Sequence, residues 1–224
     1  DGTVSEVVNA LAKTQAQLGI IPAGTGNDFV RSLGIPRDPL AALTVLKNGK
    51  AQLVDLGNIN DRFFLNVVGA GFDAEVVRAT NEDVRFLTGA PAYVYALITT
   101  IFRFSPKNAV IEADGRKLER KIWLVSVANG KYYGGGMMIS PDSEVDDGYL
   151  DICLLNEIGR FEIIRFLPRV FTGGHKTHSA FEVIKAKEVK ISFDEDVMGQ
   201  ADGEIIRSMP LKVSIVPKAL KVIR

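Results

Sequence analysis

The chain has 224 residues, of which 46% are hydrophobic and 24% are charged. This length and composition indicate an ordinary globular protein with one large domain or two small ones. Lys plus Arg and Asp plus Glu both number 27, so no overall cationic field attracts nucleic acid, and we expect no nucleic-acid partner. The single cysteine, Cys153, excludes an intrachain disulfide, and its apolar run Leu150–Leu155 predicts a buried core thiol.

The first predicted element is a turn that leads into a helix. Thr3 and Glu6 have the spacing of a capping box, and an apolar stripe follows from Val4 to Leu11. A well-capped helix without a binding role explains this segment on its own about as well as a binding turn does.

A second turn follows an apolar strand within Ile20–Phe29. Gly24 and Gly26 let the backbone turn tightly and approach a bound group, and the helix that follows favours an anion at its start. Asp28 suits the helix dipole but repels phosphate, unless a divalent cation lies between the two. The segment therefore predicts a magnesium-dependent nucleotide site, at the edge of a parallel sheet where α/β folds bind ligands.

Two short helices are predicted next, over Asp28–Leu33 and Pro39–Leu46. From about Gln52 onward, short apolar or alternating runs divided by turn residues predict strands. These strands are Arg62–Val68, Ala109–Ala113, Lys121–Ala128, Tyr149–Leu155, Phe181–Ile184, Glu188–Phe193 and Leu211–Val216. Helices are predicted between them at Asp73–Thr80, Ala90–Phe104 and Arg160–Phe171. The pattern is typical of an antiparallel sandwich with inserted helices.

Several motifs follow one another along the chain, and together they are far more specific than one glycine turn. They are Asp1-Gly2-Thr3, Pro22-Ala23-Gly24-Thr25-Gly26-Asn27-Asp28-Phe29, Asn129-Gly130-Lys131-Tyr132-Tyr133-Gly134-Gly135-Gly136, Pro141-Asp142, Asp146-Asp147-Gly148-Tyr149-Leu150-Asp151 and Asp202-Gly203-Glu204. Over essentially all 224 residues, the sequence thereby resembles the diacylglycerol kinase catalytic family, which includes bacterial lipid kinases and sphingosine and ceramide kinases. Ser5 and Val30 depart from the family, which usually has asparagine and alanine there.

The resemblance implies an α/β plus β architecture. Residues 1–56 would form the C-terminal half of a Rossmann-like ATP-binding domain, and residues 57–210 an antiparallel β-sandwich domain. Residues 211–224 would be a tail that returns to the first domain. Family members carry about half of the nucleotide-binding domain before the Asp-Gly-Thr motif, so we expect the front half to be missing from this chain.

The resemblance also implies a lipid kinase that uses ATP and Mg²⁺. The cofactor-binding residues would be Asp1, Gly2, Thr3, Val4, Ser5, Glu6, Gly24, Thr25 and Asp28. Asp55 is a further candidate near the phosphates, although a strand-end or turn aspartate explains it equally well. Glu204 would be the catalytic base that takes the proton from a substrate hydroxyl.

Asp-Gly pairs allow a comparison within the chain. Asp114-Gly115 lies between two predicted strands, and we expect a hairpin turn with no further role there. Asp202-Gly203 would be interpreted in the same way without the resemblance. The resemblance instead makes Asp202-Gly203-Glu204 the motif that carries the catalytic carboxylate.

Asp147-Gly148 has a different implied role, in a loop that holds a structural Mg²⁺. The ligands would be the Asp147 carboxylate and two backbone carbonyls, from Glu144 and Tyr149. An acidic turn before a strand is the alternative. We expect no metal role for His175 and His178, because no cysteine is near and two glycines precede them.

A lipid kinase has a lipid substrate, so we expect transient contact with the membrane surface and a cytoplasmic, peripheral location. Ala90–Phe104 is too short to span a bilayer and contains Arg103. Arg160–Phe171 combines arginines with apolar residues and could lie on an anionic membrane surface, although a core-facing amphipathic helix is favoured. A homodimer stays open.

Two alternatives remain at this stage. An NAD kinase shares the Gly-Gly-Asp-Gly-Thr loop and the two-domain plan, but Gly24–Phe29 follows the lipid-kinase form. A non-catalytic fragment or binding module is the other alternative. The intact Asp28 and Glu204 argue against a degenerate site, whereas the missing front half argues for a fragment.

Overall fold

The computed structural model describes residues 1–83 and 90–224, which form a mixed α/β fold. The helices are α1 (Gly2–Leu11), α2 (Asp28–Ser32), α3 (Pro39–Asn48), α4 (Phe72–Arg78), α5 (Ala90–Arg103) and α6 (Arg160–Val170). A π-helical turn, Ala79–Asp83, extends α4, and a 3₁₀ turn, Gly174–Thr177, follows α6. The strands are β1 (Gln17–Leu18), β2 (Ala51–Ile59), β3 (Arg62–Phe64), β4 (Val67–Gly71), β5 (Lys107–Ala113), β6 (Arg116–Ala128), β7 (Leu150–Asn156), β8 (Phe181–Ala186), β9 (Glu188–Phe193), β10 (Gly199–Ala201), β11 (Glu204–Ile206) and β12 (Leu211–Ile223).

The strands join one curled sheet in the order β11-β10-β4-β6-β5-β9-β12-β2-β3, with β7 on β6, β8 on β7 and β1 on β12. The described pairs are antiparallel except for β1 with β12. Strands β6 and β12 each pair with three others. A strand has only two edges, so a third partner must share one edge with another strand. The two halves of β6, and of β12, therefore pair with different strands along one edge, and the sheet folds over itself.

Three hydrophobic clusters fill the molecule. The first lies within the curled sheet around Ile111, Val125 and Ile152. The second packs α4, α5 and α6 on the sheet around Trp123, and the third packs α1, α2 and α3 on β1, β2 and the end of β12. Residues of the Asp1-Gly2-Thr3, Gly24–Phe29 and Asp202-Gly203-Glu204 motifs line one cavity, described below.

The predicted helices and hairpins are largely confirmed. Helices α2 to α6 lie within a few residues of their predicted bounds, and Asp114-Gly115 forms the turn between β5 and β6. Cys153 is fully buried, and burial raises the pKa of its thiol to about 12. No helix in residues 1–83 and 90–224 is long and apolar enough to cross a membrane.

Three local predictions are wrong. The capping box does not form, because Thr3 lies inside α1 and Asp1 holds the N-cap position. The strand before the glycine turn is Gln17–Leu18, so it ends before Ile20 and Ile21, where the sequence predicts an apolar strand. The single strand predicted over Arg62–Val68 divides into β3 and β4. The backbone between the two strands turns toward the Asp202 carboxylate and donates hydrogen bonds to it.

Candidate active site

Asp1 connects the starts of the first two helices. It occupies the N-cap position of α1, but its carboxylate makes no cap hydrogen bond there. Asp1 Oδ2 instead accepts a hydrogen bond from the Asp28 amide at 3.1 Å, and Oδ1 accepts one from the Phe29 amide at 3.1 Å. The negative charge at the start of α2 is therefore a carboxylate of the chain itself, where the sequence predicts a bound anion.

The glycine turn before α2 leaves other backbone amides open. Asn27 adopts the left-handed conformation, with φ 55° and ψ 38°, and its side-chain amide donates to the Gly24 carbonyl at 2.7 Å. Asparagine tolerates this conformation better than most residues. Among the described residues, no acceptor binds the amides of Gly24, Thr25 and Gly26. Such a row of amides is suited to binding an anion.

A turn of three glycines encloses Asp28. The Asp28 Oδ2 atom accepts a hydrogen bond from the Gly135 amide at 2.7 Å. Gly134, Gly135 and Gly136 have φ values of 59°, 81° and 119°, which glycine adopts far more readily than other residues. A Cβ atom on Gly136 would lie 2.6 Å from the Arg31 guanidinium, so the Arg31 side chain would have to shift.

One oxygen of Asp28 has no partner. Asp28 Oδ1 is buried without a hydrogen bond among the described residues, and Arg31 Nε lies 3.9 Å away. Burial raises the pKa of Asp28, although the Gly135 amide and the charge of Arg31 oppose this effect. A buried carboxylate oxygen without a donor fits a divalent cation, which prefers oxygen ligands. The residues around Asp28 therefore fit Mg²⁺.

A second acidic group belongs to the hairpin of β10 and β11. Asp202 forms its turn with a φ of 46°. Its carboxylate accepts hydrogen bonds from the amides of Leu65, Asn66 and Val67 at 2.6, 2.9 and 3.2 Å. These bonds separate β3 from β4, because the three amides point toward Asp202. Burial raises the pKa of Asp202 despite the opposing effect of the amides.

Glu204, the predicted base, lies at the start of β11. Its carboxylate pairs with Arg62 Nη1 at 2.5 Å, and its side chain is 54% exposed. The hydrogen bond and the charge of Arg62 lower the pKa of Glu204. Glu204 is therefore ionised near neutral pH and accessible to solvent.

A buried hydrogen-bonded pair, Asp73 and Gln200, stabilises the hairpin of β10 and β11. Gln200 Nε2 donates to Asp73 Oδ2 at 3.3 Å, and Gln200 Oε1 accepts from the Gly203 amide at 2.9 Å. Asp73 packs directly against Gly69, where a Cβ atom would lie 1.7 Å from Oδ2. Burial raises the pKa of Asp73 to about 6. The pair fixes the turn that carries Asp202.

These groups surround a cavity of about 260 Å³. Its walls come from the turn before α2, the end of α4, α5, the three-glycine turn and the β10–β11 turn. The lining residues include Asp1, Gly26, Asp28, Asn66, Tyr93, Tyr133, Gly135, Gln200, Asp202 and Gly203. Burial raises the pKa of the two tyrosines, so both hydroxyls stay protonated and can donate hydrogen bonds.

The structure brings only some of the predicted cofactor-binding residues together. Asp1 and Asp28 line the cavity, and Gly24 and Thr25 lie in the adjoining turn. The other five form the first turns of α1 and are not lining residues: Gly2, Thr3, Val4, Ser5 and Glu6. Glu204 is also outside the lining, two residues from Asp202.

Asp55 lies away from this cavity. It is buried in β2, where Oδ1 accepts from the Lys218 amide at 2.7 Å and Oδ2 accepts from the Gly148 amide at 2.7 Å. These bonds tie a bulge in β12 and the loop before β7 to β2. These bonds support the structural interpretation of Asp55, which is not among the residues that line the cavity.

The residues predicted to hold a structural Mg²⁺ lie in the loop before β7. Asp147 Oδ1 accepts from the Tyr149 amide at 2.9 Å, and Asp147 Oδ2 accepts from Lys185 Nζ at 2.7 Å. Because both Asp147 oxygens already bind N–H donors, the Asp147 carboxylate as placed does not fit a metal ion.

The two histidines have separate environments. His175 is buried, with Nε2 at 3.0 Å from the Ile139 carbonyl, and burial lowers its pKa. His178 Nε2 lies 3.0 Å from Glu162 Oε1. Both rings stack edge to face on phenylalanines, as part of the packing around α6.

Sequence reasoning missed several lining residues. Asp202 carried a usable signal, because an Asp-Gly turn between two strands places its carboxylate next to the backbone of neighbouring segments. The sequence contained no comparable signal for Gln200 and Asn66. The hydrogen-bond partner of Gln200, Asp73, is 127 residues away in sequence, and that of Asn66, Asp202, is 136 residues away.

Comparisons with known proteins show what the chain is similar to. A family model described as the diacylglycerol kinase catalytic domain matches residues 1–59, and one described as the YegS C-terminal NAD kinase beta sandwich-like domain matches residues 66–224. A diacylglycerol kinase of Mycobacterium tuberculosis is 34% identical over 231 residues, which cover 100% of this chain and 74% of that protein. A "Probable lipid kinase YegS-like" protein of Pseudomonas aeruginosa is 35% identical over 227 residues, covering 99% and 73%.

A comparison with solved structures also finds similarity to this kind of protein. The crystal structure of a candidate diacylglycerol kinase from Bacillus anthracis matches with a TM-score of 0.79 and 27% identity, over 99% of this chain and 73% of that one. The matches to the two family models account for nearly all of the chain, and they meet at the cavity that the acidic motifs line. The chain belongs to the diacylglycerol kinase family of bacterial lipid kinases.

Proposed function

We propose that the protein transfers the γ-phosphate of ATP, with Mg²⁺, to a hydroxyl group of a membrane lipid such as diacylglycerol. The observation that carries the proposal is the meeting of Asp1, Asp28 and the Asp202-Gly203 turn around one cavity. Each belongs to a different motif of the family, and the chain brings them together from positions far apart in sequence.

Phosphoryl transfer depends mainly on positioning and on stabilising negative charge. The open amides of Gly24, Thr25 and Gly26 would bind phosphate oxygens at the rim of the cavity. Asp28 Oδ1 would hold Mg²⁺, which supplies positive charge when it is bound. Asp1 keeps α2 in place through the Asp28 and Phe29 amides, so that Asp28 keeps its orientation.

The acceptor hydroxyl needs a carboxylate that is ionised and accessible. Asp202 is committed to three backbone amides, whereas Glu204 is exposed and holds Arg62 through Oε2. We therefore assign the proton transfer to Glu204, as the family motif implies. Arg62 would keep that carboxylate ionised and fix its direction until the hydroxyl arrives.

The proposal also divides the chain into two domains with different roles. The two family models adjoin between residues 59 and 66, which supports a division near residue 57 into a Rossmann-like nucleotide-binding part and a sandwich. Strand β12 pairs with β9 and then with β2 and β1, which supports the return of residues 211–224 to the first part.

A kinase assay with two matched variants tests the proposal. Labelled ATP and a magnesium titration are combined with a lipid extract, and with NAD as a competing acceptor. Asp28→Asn removes the charge at the open oxygen, so we expect turnover to collapse and the magnesium dependence to weaken. Asp114→Asn makes the same chemical change in a hairpin turn away from the cavity, so activity should stay near wild type.

Folding of both variants is checked first by circular dichroism. Label in a lipid product supports the proposal, and label in NAD would instead indicate an NAD kinase. Equal, mild effects of the two substitutions would mean that the glycine turn only starts a helix. No labelled product with either acceptor would favour a non-catalytic binding module.

A further inference from the structure

Cations of the chain itself pair with three of the four carboxylates in the acidic loop before β7. Asp146 pairs with Arg224, and Asp142 pairs with Lys176 at 2.8 Å. Asp147 pairs with Lys185 at 2.7 Å. Glu144 is the fourth carboxylate of the loop.

Lys185 occupies the central position among these cations. In the β7–β8 ladder it is the direct cross-strand partner of Asp151. This register places its ammonium 2.7 Å from Asp147 Oδ2 and 3.3 Å from Asp151 Oδ1. Asp151 is buried, and its Oδ2 accepts a hydrogen bond from Ser143 Oγ at 2.6 Å.

The Lys185 ammonium lies within ion-pair distance of both carboxylates, Asp147 and Asp151. A charged lysine between two carboxylates supplies what a bound cation would supply, which is positive charge at the point where the loop meets the sheet.

A metal and this lysine exclude each other. Mg²⁺ would need the Asp147 oxygen at 2.0–2.1 Å with near-octahedral ligands, beside an ammonium that already holds the same carboxylate. Two cations that close would repel each other strongly. The second Asp147 oxygen is also engaged, by the Tyr149 amide.

We propose that Lys185 is the built-in cation of this loop and takes the place of the structural Mg²⁺ that the family resemblance implies. The loop is therefore held to the sheet without metal. The stability of the protein should not depend on divalent cations at this position, whatever metal the reaction itself uses.

Thermal unfolding without nucleotide tests the proposal, with wild type measured in MgCl₂ and in EDTA. We expect the same Tm in both. Lys185→Met should lower the Tm by roughly 5 °C in EDTA, because it leaves Asp147 and the buried Asp151 without their cation. Lys185→Arg should keep most of the stability, because it retains the charge.

Lys190→Met is the matched control, since Lys190 also bridges strands to a carboxylate, Glu112, at 3.2 Å on the surface. Its Tm should stay close to that of wild type. The proposal would be overturned if EDTA lowered the Tm of wild type and of Asp28→Asn but left the Tm of Asp147→Asn unchanged. A Lys185→Met protein as stable as Lys190→Met would overturn it as well.

Discussion

Asp202 and Asp114 hold equivalent places in two hairpins and show how a turn aspartate can organise its surroundings. Asp114 has a φ of 44° and accepts hydrogen bonds from the amides of Lys187 and Glu188, at 2.9–3.1 Å. Asp202 has a φ of 46° and binds the backbone between β3 and β4 in the same way. Both carboxylates bind backbone amides, so the solvent-exposed carboxylate of the Asp202-Gly203-Glu204 motif is Glu204, which pairs with Arg62.

Replacing Glu204 with glutamine should abolish turnover while nucleotide affinity stays near wild type. The amide keeps the shape of the side chain but cannot accept the proton of the substrate hydroxyl. We expect a loss of about two to four orders of magnitude in kcat, measured with lipid and ATP at saturation.

Glu195→Gln is the control for this substitution. Glu195 is 53% exposed and pairs with Lys107 at 2.7 Å, so it matches Glu204 in exposure and in having a cationic partner. Its activity should be unchanged. Full activity of Glu204→Gln would remove Glu204 from the mechanism and leave Asp28 as the next carboxylate to test.

At the scale of structural elements, the three-glycine turn is the part of the site that should tolerate substitution least. It combines three positive φ values with a hydrogen bond to Asp28. The turn also carries Tyr133 at its start, which lines the cavity. A change in this turn should therefore affect both the Asp28 carboxylate and the wall of the cavity.

Gly135→Ala and Gly115→Ala form a matched pair that isolates this role. Gly135 has a φ of 81° and Gly115 a φ of 80°, and a Cβ atom at either would meet no atom within 4 Å. Both substitutions should destabilise the fold equally, by about 1–2 kcal/mol, because alanine disfavours this conformation.

Only Gly135→Ala should reduce activity, on the order of tenfold to a hundredfold, since its amide orients Asp28. Urea unfolding and kinase assays on both variants provide the two readouts. If both variants lost stability equally and kept wild-type activity, the turn would be a packing element only.

Local patterns predicted much of the fold, and long-range contacts account for what they did not. Helix α3 follows from Asp38 as N-cap and a proline at N1, and the β5–β6 hairpin follows from Asp114-Gly115. The capping role of Asp1 could not be predicted, because its carboxylate binds α2, 27 residues away. The pairing of Glu204 with Arg62 spans 142 residues and carries no sequence signal.

At the scale of the whole molecule, α5 and the start of α6 expose apolar side chains. Val94, Ile98 and Phe102 follow one another along α5 at four-residue intervals and are 49%, 42% and 51% exposed. Phe161, at the start of α6, is 81% exposed. Arg160 joins the two helices by donating to the Ile101 carbonyl at 3.0 Å. Exposed apolar side chains on two connected helices suit a peripheral contact with a membrane.

The double variant Ile98→Ser/Phe102→Ser should bind anionic phosphatidylglycerol vesicles more weakly, on the order of tenfold, because it removes apolar area from the contact. Vesicle sedimentation measures this binding. Kinase activity toward a short-chain, water-soluble diacylglycerol should be unchanged. Leu40→Ser/Leu43→Ser is the control, since these side chains are 74% and 52% exposed on α3. Equal vesicle binding by both double variants would show that α5 is not the contact.

Strand β12 also governs when the protein can fold during its synthesis. Strand β1 obtains its described pairing from residues 221 and 222, and β2 pairs with residues as late as Ile223. The apolar faces of α1 and α3 therefore lack a completed sheet until those residues have left the ribosome. At about 5–20 residues per second, the nascent chain spends roughly 10–45 s in this state. During that time α1 and α3 depend on chaperones, or on their own solubility, for protection against aggregation.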